Sequence, residues 1–515
     1  VRLVHDDSHR GNVLFVTVDQ WRGDCLGVLD HPVVRTPHLD RLASEGVLFA
    51  RHYAQAAPCG PSRASLHTGQ YLMNHRSVAN GTPLDARFTN VAFEARGVGY
   101  DPVLFGYTDA SPDPRVLAPD DPRLRTYEGV LPGFRAVVDL KESLLPWGEW
   151  LRGHGYAVPE DVRAMYEPVS DAPDAPVAYR AEHSEAAFLT GEVLRYVDEQ
   201  GDRPWFVHAA YIRPHPPFIA PEPYNTMFDP SAMPPPVRRA TAADEGAVHP
   251  LLPGAILMAE ALDGPVDDES VGQRRATYFG MMAEVDAQLG RLFDGLRARG
   301  AWEHTLVVLT SDHGEQLGDH WLSEKLGWFD QSFHVPLLVR DPRPAADATR
   351  GAVRREHFTE NVDVMPTLLD WIDAPVPAQC DGRSVLPFVH GAVPTRWRDA
   401  AFWEWDFRDP IGRQPESLLG VTSEQCALCV LRDERGKYVH FSGLPPLFYD
   451  LERDPEELEN RAGDPRYAAT VLEYAQRMLS HRMEHSDQTL TPLVVTPFGV
   501  LDGRRSPPGR AEGPV

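Results

Sequence analysis

Uninterrupted apolar runs of strand length recur along this chain, separated by longer stretches whose apolar residues fall at helical spacing, and this alternation constrains the fold more than any other feature. The runs are Asn12–Val18, Pro204–Tyr211, Thr305–Thr310 and Val335–Val339, and the helical stretches include Glu182–Glu199 and Gln273–Arg299. A strand that shows no polar alternation is buried on both faces, which is the condition of a mostly parallel sheet covered by helices. Thr36 followed by Pro37 marks a helix start soon after the first run, as an α/β unit requires. The fold class predicted is α/β, a large mixed, mostly parallel sheet sandwiched by helices. From about Ala400 the segments shorten to Ala400–Trp405, Tyr438–Phe441 and Leu447–Asp450, followed by a helical pattern from Tyr467 to Arg482. The expected organisation is a principal α/β domain over 1–399, a smaller C-terminal α+β subdomain over 400–486, and an extended arm rich in Pro, Gly and Arg over 487–515.

Composition narrows the partners. At 515 residues, 42% hydrophobic and 24% charged, the chain is neither disordered nor a disulfide miniprotein. Lys and Arg number 50 against 75 Asp and Glu, a net charge of −25, and no basic run interrupts the sequence, so neither nucleic acid nor an anionic membrane is an expected partner. A small anionic substrate stays open, because screening over about 8 Å leaves local cations in a cleft to decide. Cys25, Cys59, Cys380, Cys426 and Cys429 are odd in number and scattered, unlike a secreted disulfide framework. Val1–Arg10 carries no apolar signal core, and no stretch approaches the ~18 apolar residues of a membrane helix, so a cytoplasmic protein is expected. The Pro-rich segments 158–174 and 221–253 are long enough to line a substrate.

Ala57–Gly69 is the most informative stretch. Pro61 and the residues after it predict a helix whose N-terminus lies at Cys59, where free backbone N–H groups and the helix dipole favour an anion and a thiolate. Arg63, one helical turn on, falls on the same face as Cys59. On spacing alone a buried structural cysteine ahead of a Pro-started helix fits equally well. Asp19-Gln20 follows the first strand and Asp312-His313 follows the strand at 305–310, so both pairs are expected at the carboxyl ends of parallel strands, where open α/β sheets bind ligands. Two carboxylates, an amide oxygen and an imidazole suit Mg²⁺, Ca²⁺ or Mn²⁺. Each pair alone is more often a turn or a helix cap; together with Cys59 they become a candidate site.

Cys59-Gly60-Pro61-Ser62-Arg63 resembles the Cys-x-Pro-Ser-Arg signature of sulfatases, whose cysteine is oxidised to formylglycine. With Asp19 and Asp312-His313-Gly314-Glu315 in the same order, the chain resembles the sulfatase branch of the alkaline phosphatase superfamily. The strings Val18–Arg22, Tyr71–Arg76, Gly106–Thr108, Arg213–Phe218, Ser311–His320 and Lys437–Phe441 are similar to those of bacterial phosphonate monoester hydrolases, which also cleave phosphodiesters, and the similarity runs from about Asn12 to Thr491. The resemblance implies one divalent ion (Mn, Ca or Mg) held by Asp19, Gln20, Asp312 and His313, with the formylglycine from Cys59 completing the shell. It implies substrate or acid–base contacts at Asn80, Tyr107, His215 and Lys325, with Arg63 and Lys325 stabilising charge. Asp109 stands where these relatives carry Thr, which sets a carboxylate beside an anionic substrate.

The function so implied is hydrolysis of phosphonate monoesters and phosphodiesters, extending to sulfate esters. It runs through a covalent ester on the modified Cys59 that is released by hemiacetal cleavage. Implied partners are a small anionic ester, a formylglycine-generating enzyme during maturation, and further copies of the chain in a homo-oligomer, a tetramer. An arylsulfatase is the nearest alternative, and a non-catalytic metal-binding module the more distant one.

Overall fold

The computed structural model describes residues 11–502 except Glu142, Asp263, Pro265 and Val266. Eight strands form the principal sheet: β1 (Asn12–Val18), β2 (Val47–Phe49), β3 (Pro102–Gly106), β4 (Arg135–Asp139), β5 (Phe206–Tyr211), β6 (Thr305–Thr310), β7 (Leu337–Arg340) and β8 (Ala352–Arg354). Their order across the sheet is β8-β2-β7-β6-β1-β5-β3-β4. All neighbours are parallel except around β7, which runs against both β2 and β6. The run expected to begin at Val335 enters the sheet only at Leu337. Val335 instead donates its N–H to His52 O, and Pro336 has no N–H to give.

The lack of polar alternation in β1 has the expected cause. Leu14, Val16 and Val18 face one apolar core and Val13 and Phe15 face another. Helices α1 (Pro37–Glu45), α3 (Glu185–Gln200) and α4 (Asp268–Ala298) build the first core, and α5 (Val364–Trp371) belongs to the second; α2 (Cys59–Thr68) is described with the site below. Tyr278, Met282, Val285, Leu289, Leu292 and Leu296 of α4 are all buried there, and each large apolar side chain contributes about 1.5–3 kcal/mol. Helix α4 starts five residues before the expected Gln273, because Asp267 accepts from Ser270 N at 2.8 Å and caps it.

A second sheet contains β9 (Ala401–Asp406), β10 (Ala427–Arg432), β11 (Gly436–Phe441) and β12 (Leu447–Asp450), with α6 (Ala468–Glu484) packed beside it. Its fifth strand is Ala56–Ala57, paired in parallel with β9, so the small sheet grips the chain two residues ahead of Cys59. Tyr53 stacks on Trp403 of β9 at 5.4 Å, which ties this sheet to the body of the protein. Within the expected arm, β13 (Leu493–Thr496) and β14 (Gly499–Asp502) form a hairpin, whereas 503–515 lies outside the described residues, as does the 1–10 segment.

Candidate active site

Four adjacent parallel strands, β6, β1, β5 and β3, deliver residues to one place at their carboxyl ends. Asp19 and Gln20 follow β1, Asp312 and His313 come after Ser311 beyond β6, Tyr107 follows β3, and His215 lies in the loop after β5. Helix α2 enters from the side with Cys59 as its first residue. Ser62 Oγ donates to Asp312 O at 2.5 Å and fixes the helix against β6.

Asp19, Cys59, Asp312 and His313 are fully enclosed, and one ligand atom from each lies within 4.8 Å of all the others. Cys59 Sγ is 3.1 Å from His313 Nε2, which also lies 3.7 Å from Asp19 Oδ1. His313 Nδ1 is 3.0 Å from Gly314 O; donation there leaves Nε2 as the lone-pair nitrogen facing the cluster. Arg63 forms the floor: Nε donates to Asp312 Oδ2 at 2.9 Å, Nη2 to Asp19 Oδ2 at 3.0 Å and Nη1 to Tyr107 O at 3.0 Å. Tyr107 donates its hydroxyl to the same Asp19 oxygen and lays its ring 4.0 Å from the guanidinium. Asp19 Oδ1 is buried with no hydrogen-bond partner. An orphaned carboxylate oxygen within an O- and N-rich cluster fits a divalent cation.

Gln20 sits at φ 66°, which turns its N–H onto Asp312 Oδ1 at 3.2 Å. Its Nε2 donates to Glu315, so its Oε1 is the end presented to Lys325 Nζ, 3.4 Å away. Glu315 was not among the expected site residues, although it stands in the Asp312–Glu315 string. Its other oxygen accepts from Leu317 N and Glu324 N, and burial raises its carboxyl to about 7.

The electrostatics follow from enclosure. Burial alone would raise Asp19, but His215, Arg63, His313 and Lys325 together hold it well below the carboxylate range. Burial pushes the Cys59 thiol far up against the pull of Lys325, with Asp19, Asp312 and Asp109 adding to the rise, which opposes the thiolate expected from the helix dipole. The free N–H groups expected at the start of α2 are also largely spent. Gly60 N donates to Asn80 Oδ1 at 2.9 Å, Pro61 has none, and Ser62 N bonds Pro58 O. Positive potential here comes from Arg63 and Lys325 more than from the helix end.

Lys325 Nζ lies 3.4 Å from His215 Nε2 and 3.1 Å from Glu324 Oε2. Burial lowers the lysine, yet Cys59, Glu324 and Asp19 carry it above its usual range; burial lowers His215, and Lys325 reinforces that. His215 Nδ1 is 3.0 Å from Pro216 O, and the loop is held by Arg213, which donates to His215 O at 3.0 Å and Pro217 O at 2.6 Å. Asn80 is exposed at the mouth, and Asp109 lies buried behind Gly60. Beyond Pro216 and Pro217 opens a cleft of about 1520 Å³ whose walls include Tyr166, Phe218, Asn225, Met233 and Thr277. Parts of both Pro-rich segments line this cleft, and none of the site residues expected from the sequence does.

The sulfatase family model matches residues 11–374, and a model of the N-sulphoglucosamine sulphohydrolase C-terminal region matches 318–484. The multifunctional alkaline phosphatase superfamily protein PehA of Trinickia caryophylli is 42% identical over 95% of this chain and 99% of its own. The chain belongs to the sulfatase family, within the alkaline phosphatase superfamily. Two phosphonate monoester hydrolase structures superpose with TM-scores of 0.92, those of Agrobacterium radiobacter at 49% identity and Silicibacter pomeroyi at 41%, each covering 97% of this chain and 100% of the other. This sulfatase-family chain is an ester hydrolase acting on small substrates, built on the large mostly parallel sheet with a small C-terminal sheet. Enzymes of the family use a metal ion and a formylglycine. Among the described residues no helix is long and apolar enough to cross a membrane.

Proposed function

We propose that this protein hydrolyses phosphonate monoesters and phosphodiesters, and sulfate esters more slowly, using a formylglycine made from Cys59 and one divalent ion. The observation that carries the reading is the convergence of Cys59, at the head of α2, with Asp19, Asp312 and His313 inside 4.8 Å. The likeness to proteins named phosphonate monoester hydrolases supports the substrate class. Asp19, Gln20, Asp312 and His313 would hold the ion; bound, it supplies Lewis acidity, and the converted side chain supplies a hydrated aldehyde as nucleophile and as its own release group.

The remaining work falls to residues of the chain. Arg63 helps keep Asp19 ionised and holds Asp19 and Asp312 in place, and its positive charge, with that of Lys325, offsets charge that builds on the non-bridging oxygens. Tyr107 fixes the orientation of Asp19. The free Nδ2 of Asn80 is a donor at the mouth for a substrate oxygen. Lys325 and His215 act as a pair: with Nδ1–H turned to Pro216 O, His215 Nε2 accepts from Lys325, so the proton delivered to the departing alkoxide is held between the two. The cleft beyond Pro216 supplies apolar walls for the leaving group.

The reading includes maturation by a formylglycine-generating enzyme, a cytoplasmic location and a domain division at residues 400 and 487. The four remaining cysteines, Cys25, Cys380, Cys426 and Cys429, are unpaired, which supports the location. It also includes a homo-oligomer, taken as a tetramer, supported by the β13–β14 hairpin, where Val495 is 83% and Phe498 99% exposed. Comparison of kcat/KM on an aryl phosphonate monoester, an aryl phosphodiester and an aryl sulfate tests the activity. The first two are expected to lead; a clear preference for sulfate would make the protein an arylsulfatase, and background rates on all three would leave a metal-binding module.

A further inference from the structure

We infer that Asp109 is a specificity-determining residue that makes the site favour esters with a single negative charge over dianionic ones. The inference rests on the ester hydrolysis proposed above. Asp109 lies three residues beyond β3 at φ 49°, a left-handed conformation that Asp and Asn adopt more readily than most residues. It is 7% exposed, and its Oδ1 is buried without a hydrogen-bond partner. Its backbone packs on the first turn of α2, where a Cβ placed on Gly60 would come within 3.3 Å of Asp109 O and 3.1 Å of Asn80 Oδ1. Its charge reaches the cluster, since it raises both Cys59 and Arg63.

A carboxylate retained for structure is normally satisfied by N–H donors or a cation. Asp109 Oδ1 has no donor, and Arg63 lowers it only through space, because its Nε is directed to Asp312, Nη1 to Tyr107 O and Nη2 to Asp19. A carboxylate without a hydrogen-bonded partner beside a site for anions repels each negative charge on the ligand. A dianion therefore feels it twice and a monoanion once. At an effective dielectric of about 20, one extra unit charge on the order of 10 Å from a carboxylate is in general penalised by about a tenfold factor, which sets the size of the expected effect. Phosphonate monoesters and phosphodiesters carry one charge, whereas phosphate monoesters carry two above about pH 6.

The test compares kcat/KM for an aryl phosphate monoester with that for an aryl phosphonate monoester sharing its leaving group, in the metal-loaded wild type and in Asp109→Asn. Assays run at about pH 8.5, where the phosphate is dianionic and the carboxyl, raised by burial to about 7, is ionised. Asn keeps the shape and the backbone conformation, and the ratio of the two substrates corrects for any loss of active enzyme. The dianion-to-monoanion ratio is expected to rise about tenfold in the variant. An unchanged ratio, or a parallel change in both substrates, overturns the inference. Asp109→Ser serves as a second variant. If neither variant folds by circular dichroism, the carboxylate is a structural group and the inference is equally overturned. Wild-type turnover of the phosphonate separates the two levels: its absence removes the proposed activity itself, and its presence with a fixed ratio removes only the role of Asp109.

Discussion

Replacing Arg63 by Ala should destabilise the metal-free protein and make its stability depend on the divalent ion. The guanidinium is 1% exposed and joins Asp19 and Asp312, both 0% exposed, through bonds of 3.0 and 2.9 Å. Removing one partner of a buried ion pair costs about 3–5 kcal/mol, because the other partner stays buried and unpaired. Unfolding entropy of about 2.1 cal/mol/K per residue puts a chain of this size near 1 kcal/mol/K, so the expected loss is about 3–5 °C in Tm. Thermal unfolding followed by calorimetry in excess chelator, and again with Mn²⁺, gives both numbers. A divalent ion held by the same two carboxylates compensates the charge Arg63 no longer balances, so Mn²⁺ should raise the Tm of the variant more than that of the wild type and narrow the gap. Arg63→Lys should fall between, since one ammonium cannot reproduce the fork that bridges both carboxylates. A metal-free Arg63→Ala protein that melts with the wild type, or a gap that Mn²⁺ leaves unaltered, would refute this reasoning.

Three further outcomes are expected. Glu315→Gln removes the carboxyl acceptor that orients the Gln20 amide, so divalent-ion affinity measured by competition with a chelating dye should fall about tenfold or more, as for other residues that orient a ligand; unchanged affinity would deny Glu315 that part. Arg213→Lys loses the paired bonds to His215 O and Pro217 O, so kcat should drop about tenfold while ion affinity holds; a fall in both would point to general damage. Glu284 is buried beside Glu185 with its Oε1 unpartnered, and burial followed by the Glu185 charge raises its carboxyl to about 8. Below about pH 4.5 both folded and unfolded forms hold the proton; above it the unfolded chain releases the proton first, so stability drains away as pH climbs to about 8. Glu284→Gln should remove about 5 kcal/mol of that decline in denaturant titrations, and parallel wild-type and variant curves across the window would contradict it.

The sheet was legible because its central strands are buried on both faces, so β1, β5 and β6 read as continuous apolar runs without help from tertiary context. The antiparallel sense of β7 was not, since strand direction depends on the crossover and leaves no trace in Leu337–Arg340. The strand Ala56–Ala57 escaped notice for a different reason: two alanines carry no periodicity, and their pairing with β9 crosses more than three hundred residues. At the site, the positions of Asp19, Gln20, Asp312 and His313 follow from strand ends. The environment of Cys59 does not, because burial and the nearby carboxylates that act against the helix dipole leave no trace in the local spacing. Glu315 stands in the Asp312–Glu315 string, but its role is not legible there, because its partner is the Gln20 amide, 295 positions away.

Anomalous diffraction from crystals of the Mn²⁺-loaded protein tests the central claim most directly. A peak within coordinating distance of Asp19, Gln20, Asp312 and His313, with an oxygen in place of sulfur on residue 59 turned toward it, is the predicted result. A peak elsewhere in the molecule, or an intact thiol at Cys59 in protein that is fully active, would contradict the account.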